Sequence, residues 1–95
     1  MAISRLSEDE VAARMELLGG WVRQGDMIVK TYKLASFPAA ISFVTNVAFL
    51  AEAAAHHPDI DIRYNKVTLA LTTHDVGGLS VNDFTLAEQA DEIMG

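Results

Sequence analysis

The stretch Glu-Ala-Ala-Ala-His-His-Pro, residues 52–58, sets two of the chain's three histidines side by side and directly before a proline. The third is His74. Unperturbed imidazoles titrate near pH 6.5, so three of them around one ligand could both give and take protons at neutral pH. Glu52 stands four residues before His56, which puts both on one face of a helix that runs that far. A carboxylate beside an imidazole fixes its tautomer and favours the charged form, as a helix C-terminus does. The residue before a proline is pushed into extended backbone, so His57 leaves the helix and aims elsewhere. His74 is expected at a strand end that can lie near the same corner.

Other chemistries compete for these residues. A histidine near a helix C-terminus can simply cap it. Imidazoles with a carboxylate are also zinc ligands. Adjacent residues rarely aim both rings at one ion, however, and there is no HExxH-type pair. Nucleophilic catalysis has little support, because no cysteine exists and no serine sits in a G-x-S-x-G elbow. Asp83 follows Ser80 by three residues, the position of a capping acid. Gly77-Gly78 reads as a turn, since the Lys-Ser/Thr of a phosphate loop is missing.

The elements that must position these residues can be read in order. Ser7 and Glu10 form a capping-box pattern, Val11, Met15 and Leu18 repeat at helical spacing, and Gly19-Gly20 ends a first helix. Trp21–Gln24 and Met27–Leu34 are strand-like and flank a Gly25-Asp26 turn. Ser36 caps a long second helix with Pro38 in its first turn, running to about His56. That helix carries two apolar stripes, one through Phe37, Ile41, Val44, Ala48 and Ala55, the other through Phe43, Val47, Leu50 and Ala54. Ser42, Thr45, Asn46 and Glu52 argue against a membrane span, so burial between its own sheet and another subunit is expected. Ile60–Tyr64 and Lys66–His74 form a second hairpin around Asn65, and Ser80 caps a last helix. The order α-β-β-α-β-β-α, with hairpins that pair antiparallel, is an α+β domain with helices against one sheet face.

A chain of 95 residues with 51% hydrophobic content holds one packed core, and a single domain over residues 1–95 is expected. A net charge of −6, with basic residues scattered along the sequence, speaks against a nucleic-acid partner. The first ten residues hold no apolar h-region, and a soluble, cytoplasmic protein is expected.

The same residues carry a resemblance. Glu52, then His56-His57-Pro58, Tyr64, His74 and Asp83, at these spacings, match the signature of the pterin-4a-carbinolamine dehydratases. Gly19–Trp21, Tyr64–Val67, Thr72–Asp75 and Gly78–Ser80 are further similar segments, so the resemblance covers essentially the whole chain. It implies a four-stranded antiparallel sheet with three helices packed on one face. It implies removal of water from a 4a-hydroxy-tetrahydropterin to give the quinonoid dihydropterin, as in tetrahydrobiopterin recycling, with no metal and no cofactor. By this likeness the catalytic set is His56, His57 and His74, with His56 and His74 as acid/base groups and His57 holding the substrate. The substrate-binding set is Glu52, Pro58, Thr72, Thr73, Asp75 and Asp83. The expected partners are a pterin and further copies of the chain, in a homodimer or homotetramer. Alternatives are a non-catalytic oligomerisation or binding module of the same fold, and a role near molybdopterin metabolism. Some members also serve as a dimerisation cofactor of a transcription factor. Compared with vertebrate members, this chain has Ala55 for an acid, Ile60 for an aromatic, Asn82 for an arginine, and an added Arg63.

Overall fold

The computed structural model describes residues 3–94; Met1, Ala2 and Gly95 of the expected domain lie outside the described residues. Helix α1 spans Glu8–Met15 and opens with the expected capping box: Ser7 Oγ accepts the Glu10 N–H at 3.2 Å, and Glu10 Oε1 accepts the Ser7 N–H at 2.9 Å. The helix stops well before Gly19. Bonds from Leu17 N–H to Arg14 O and Leu18 N–H to Met15 O tighten its end, with Leu18 in the core and Leu17 outward.

Strands β1 (Val22–Gln24) and β2 (Met27–Lys33) form the first hairpin, with Gly25 at φ 61° as the first turn residue. A positive φ there is what a Gly-X turn requires. Helix α2 (Phe37–Ala54) follows, with Ser36 Oγ accepting from Ala39 N–H. The second hairpin is β3 (Asp59–Arg63) and β4 (Lys66–Leu71), and α3 (Val81–Met94) closes the chain. The sheet order is β1-β2-β4-β3, antiparallel throughout, as expected from the two hairpins. β2 and β4 form its centre, with Ile28 opposite Leu71 and Tyr32 opposite Val67.

One face of the sheet carries Ile28, Tyr32, Val67, Leu69 and Leu71 into the core, where Ala40, Phe43, Val47 and Ala51 of α2 and Phe84, Leu86, Ala87 and Ala90 of α3 meet them. All three helices lie on this face, so the fold class is as expected. The buried stripe of α2 keeps Phe43 and Val47 of the expected one and runs on through Ala40 and Ala51 in place of Leu50 and Ala54. Ala54 and Ala55 are exposed, and Leu50 and Val44 are half-buried. α2 is long and apolar enough to cross a bilayer by length and composition alone. It instead packs one stripe into this domain core and leaves Phe37, Ile41 and Phe49 outward, Phe49 at 72% exposure.

Two expectations fail at the corner that matters. α2 does not reach His56. Ala55 turns left-handed at φ 51°, ψ 40°, and the N–H groups of Ala55 and His56 fold back to Glu52 O and Ala51 O. This is a Schellman ending that stops α2 two residues short of His56, where the proline alone would let it run. Nor does β4 run to His74. It stops at Leu71, Thr73 forms an isolated bridge with Gly78, and His74–Val76 make a 3₁₀ turn closed by Gly77 at φ 67°. The reason is local: once Thr73 pairs with Gly78, the four residues between them must curl. The register also aligns Lys33, Lys66 and Arg63 in one row across β2, β4 and β3, although they are scattered in sequence.

Candidate active site

His56 leaves the end of α2 with its ring turned inward, and it is 9% exposed. Its Nε2 donates to Asp83 Oδ1 at 2.6 Å. Asp83, on the first turn of α3, is fully buried. Its other oxygen, Oδ2, accepts from Ser80 N–H at 2.9 Å and from Thr73 Oγ1 at 2.7 Å. Because the Thr73 hydrogen goes to Asp83, Ser80 Oγ must donate to Thr73 Oγ1, 2.7 Å away. Ser80 Oγ in turn accepts from Asn82 N–H at 3.3 Å. A buried carboxylate needs such donors, since desolvation would otherwise disfavour its charge. The network fixes the His56 tautomer with the proton on Nε2, and Nδ1 is left without a protein partner among the described residues.

The expected pairing of Glu52 with His56 is therefore corrected. Ending α2 at Ala54 rotates His56 off the helix face that Glu52 occupies, and Glu52 Oε1 instead accepts from His57 Nε2 at 2.7 Å. That pair is exposed, with side chains 80% and 66% accessible. His74 is exposed on the 3₁₀ turn, and its ring has no hydrogen-bond partner among the described residues.

The three histidines nonetheless meet. A cleft of ≈ 200 Å³ is lined by Ala55, His56, His57, Thr72, Thr73, His74 and Asp75. Of the nine expected site residues, six stand around it. Asp83 lies behind His56 and does not line the cleft. Glu52 and Pro58 line a separate apolar cleft of ≈ 380 Å³ that shares His57 and continues over Ala48 and Phe49. Among the described residues no three His, Asp or Glu side chains gather as a metal-ligand set. Each of the paired histidines has a carboxylate of its own.

What the sequence reading missed is the second duty of Asp83. It is a capping acid, as its spacing from Ser80 implied, but the same carboxylate also carries His56. The available signal was its phase: Asp83, Ala87 and Ala90 share one helix stripe, and all three are buried. An acid on a buried stripe must answer to more than a helix end.

Such an arrangement can hold one imidazole oriented by a buried carboxylate and a second, exposed imidazole around the same cleft. The family model described as pterin 4 alpha carbinolamine dehydratase matches residues 4–93. A protein of Roseiflexus sp. (strain RS-1) that carries the name of a pterin-4-alpha-carbinolamine dehydratase is 66% identical over 91 residues, covering 96% of this chain and 98% of that one. One of the same name from Nocardia farcinica (strain IFM 10152) is 48% identical over 93 residues, 98% of each chain. The crystal structure of a transcriptional coactivator/pterin dehydratase from Brucella melitensis superposes with a TM-score of 0.91 at 32% identity, covering 96% of this chain and 99% of that one. With the match running through both hairpins, the corner histidines and the acid behind them, this chain belongs to the pterin-4a-carbinolamine dehydratase family.

Proposed function

We propose that the protein is a hydro-lyase that removes water from a 4a-hydroxy-tetrahydropterin and yields the quinonoid dihydropterin. The observation that carries this reading is the convergence of His56, His57 and His74 on one cleft, with His56 backed by the buried Asp83. The reaction breaks the C4a–O bond and forms a C4a=N5 double bond. The hydroxyl leaves as water once protonated, and the electron pair of the N5–H bond becomes the new π bond as its proton departs. An acid and a base beside one ring therefore suffice.

His56 is assigned as the base. With Nε2–H committed to Asp83, its Nδ1 lone pair takes the N5 proton, and Asp83 stabilises the resulting imidazolium. His74, exposed and without a hydrogen-bond partner among the described residues, is assigned as the acid that protonates the 4a-oxygen. His57, steadied by Glu52, holds the ring edge, while the Thr72–Asp75 segment lines the remaining wall. The protons return through solvent, which reaches His74 freely. No metal enters these steps.

We further propose that the protein works as a homodimer or homotetramer in the cytoplasm. Support for assembly comes from the outward residues Phe37, Ile41 and Phe49 of α2, with Ile60 and Ile62 beside them, all of them exposed. The test of function is direct: chemically prepared 4a-hydroxy-tetrahydropterin should lose water faster with the protein than without it. Equal rates would refute the reading and leave a binding module of the same fold.

A further inference from the structure

The row of Lys33, Lys66 and Arg63 has no duty in the site described above. It stands at the far end of β4 from the histidine cleft, about 20 Å away along the strand. Val67, Leu69 and Leu71 point into the core, so Lys66 points to the outer side of the sheet. Lys33 stands opposite Lys66, and Lys66 opposite Arg63, each about 5 Å from a like charge. Such neighbours repel and weaken a sheet. The chain has only 7 lysines and arginines against 13 acids, and the other four cations are engaged. Arg5 lies 3.6 Å from Asp26, Arg23 and Lys30 pair with Glu8 and Asp91, and Arg14 rests over the Phe84 ring. Among the described residues Lys33 and Lys66 form no ion pair, and Arg63 commits only its Nε, to Asp61 Oδ1 at 3.1 Å. Tyr64 and Asn65 turn the chain beside this row. Tyr64 takes φ 53°, a left-handed backbone that suits glycine or asparagine and is rare for an aromatic residue. Its ring is 70% exposed, so core packing does not account for the strain. The turn is clamped: Asn65 Nδ2 donates to Leu34 O at 3.0 Å, and Leu34 N–H donates to Asn65 O at 2.8 Å. Turn and row together line a hollow of ≈ 610 Å³, formed by Lys33, Arg63, Tyr64, Asn65 and Lys66. That volume falls within the roughly 300–1,000 Å³ of small-molecule sites.

We propose that this hollow binds a nucleoside diphosphate, with its phosphates on the basic row and its base on the Tyr64 ring. A cation on each of three adjacent strands matches the charge of a diphosphate ester. The Nη groups of Arg63, without a partner among the described residues, suit paired phosphate oxygens, and the two ammonium groups add point charges beside them. An exposed aromatic face stacks on any base. A single carboxylate would leave most of the row uncompensated. A nucleic-acid strand is disfavoured by the same sheet face. Asp61 and Asp59 follow Arg63 at alternate positions of β3, so a longer phosphate backbone would meet acids. No residue of the histidine cleft takes part, so the proposal stands apart from the dehydratase reading.

The test is isothermal titration calorimetry of the full chain with ADP and with inorganic diphosphate, at low salt and without divalent metal. The wild type is expected to bind both, ADP about 10-fold more tightly through the stacked base. Lys66→Gln removes the middle charge and should weaken both by about 10-fold, the scale of one charge-assisted hydrogen bond. Tyr64→Asn suits the backbone of the turn and keeps the charges. It should bring ADP down to the affinity of diphosphate and leave diphosphate unchanged, a pattern that a folding defect cannot give. A wild type that does not bind ADP, or binds the two ligands equally, would overturn the site. So would an unchanged ADP affinity in Lys66→Gln or Tyr64→Asn. An acidic peptide that displaces ADP as readily as diphosphate does would reduce the row to a nonspecific basic surface and overturn it as well.

Discussion

At the scale of single residues, the centre of the site is Asp83. Its carboxylate receives three donors and offers none, so an amide in its place must turn an N–H₂ toward a donor. Asp83→Asn is expected to cost about 3 kcal/mol, the scale of a broken buried pair, measured by urea unfolding. It should also lower kcat by on the order of 10-fold or more with little change in KM, because His56 loses its orientation while the cleft wall stays. His57 is different. It is exposed and, among the described residues, paired only with Glu52, so His57→Ala should chiefly raise KM, the mark of a contact made equally in ground and transition states. A kcat loss at His57 as large as at His56 would reverse these roles.

At the scale of elements, the corner depends on where α2 stops. Ala55 sits in the left-handed region, where a side chain clashes and glycine does not. Ala55→Gly should therefore raise stability by about 1 kcal/mol, read from the shift in the denaturation midpoint. No change, or a loss, would mean the turn is not strained. The same corner shows why some of the site was illegible. Pro58 announces that a helix ends nearby, but an alanine at a Schellman position carries no mark, so the helix was read two residues too far and Glu52 was matched to the wrong histidine. The curl at His74 was hidden for a related reason. It follows from Thr73 pairing with Gly78, a contact fixed only when the loop folds back. The hairpins were legible, because alternation and Gly25 state their geometry outright. A further polar cluster shows the same limit. Trp21 Nε1, Lys30 Nζ and Tyr32 Oη all donate to Asp91 of α3, joining both ends of the chain, and no spacing in the sequence predicts it. Burial first, and then the neighbouring Asp91 carboxylate, holds the Tyr32 phenol well above its ordinary range. The native state thus keeps a proton that the unfolded chain loses above about pH 10, so this contribution is complete below that pH and falls away as pH rises further. Unfolding of the wild type and Tyr32→Phe compared between pH 8 and 11 should show a steeper decline in the wild type; parallel curves would deny the linkage.

At the scale of the whole molecule, a small domain has one side of its longest helix packed and the other bare. Phe49 is 72% exposed beside Ile41, an apolar face that invites a second copy. Light scattering at micromolar concentration should report a dimer or tetramer, and Phe49→Glu should shift it toward monomer; a wild-type monomer would count against assembly. That outer face was legible in the sequence as the stripe through Phe37, Ile41 and Ala48, all exposed, although Phe49, the most exposed residue of the helix face, stood in neither expected stripe. The fold as a whole exists, on this account, to bring the end of α2, the turn after β4 and the start of α3 to one point. The measurement closest to that claim is the turnover of chemically prepared 4a-hydroxy-tetrahydropterin by folded wild type, His56→Ala and His74→Ala, each after prolonged chelation. The expected result is full wild-type activity in chelator and a fall in kcat of about 10²-fold or more in each variant. Wild-type activity lost on chelation, or near-normal kcat in both variants, would contradict it.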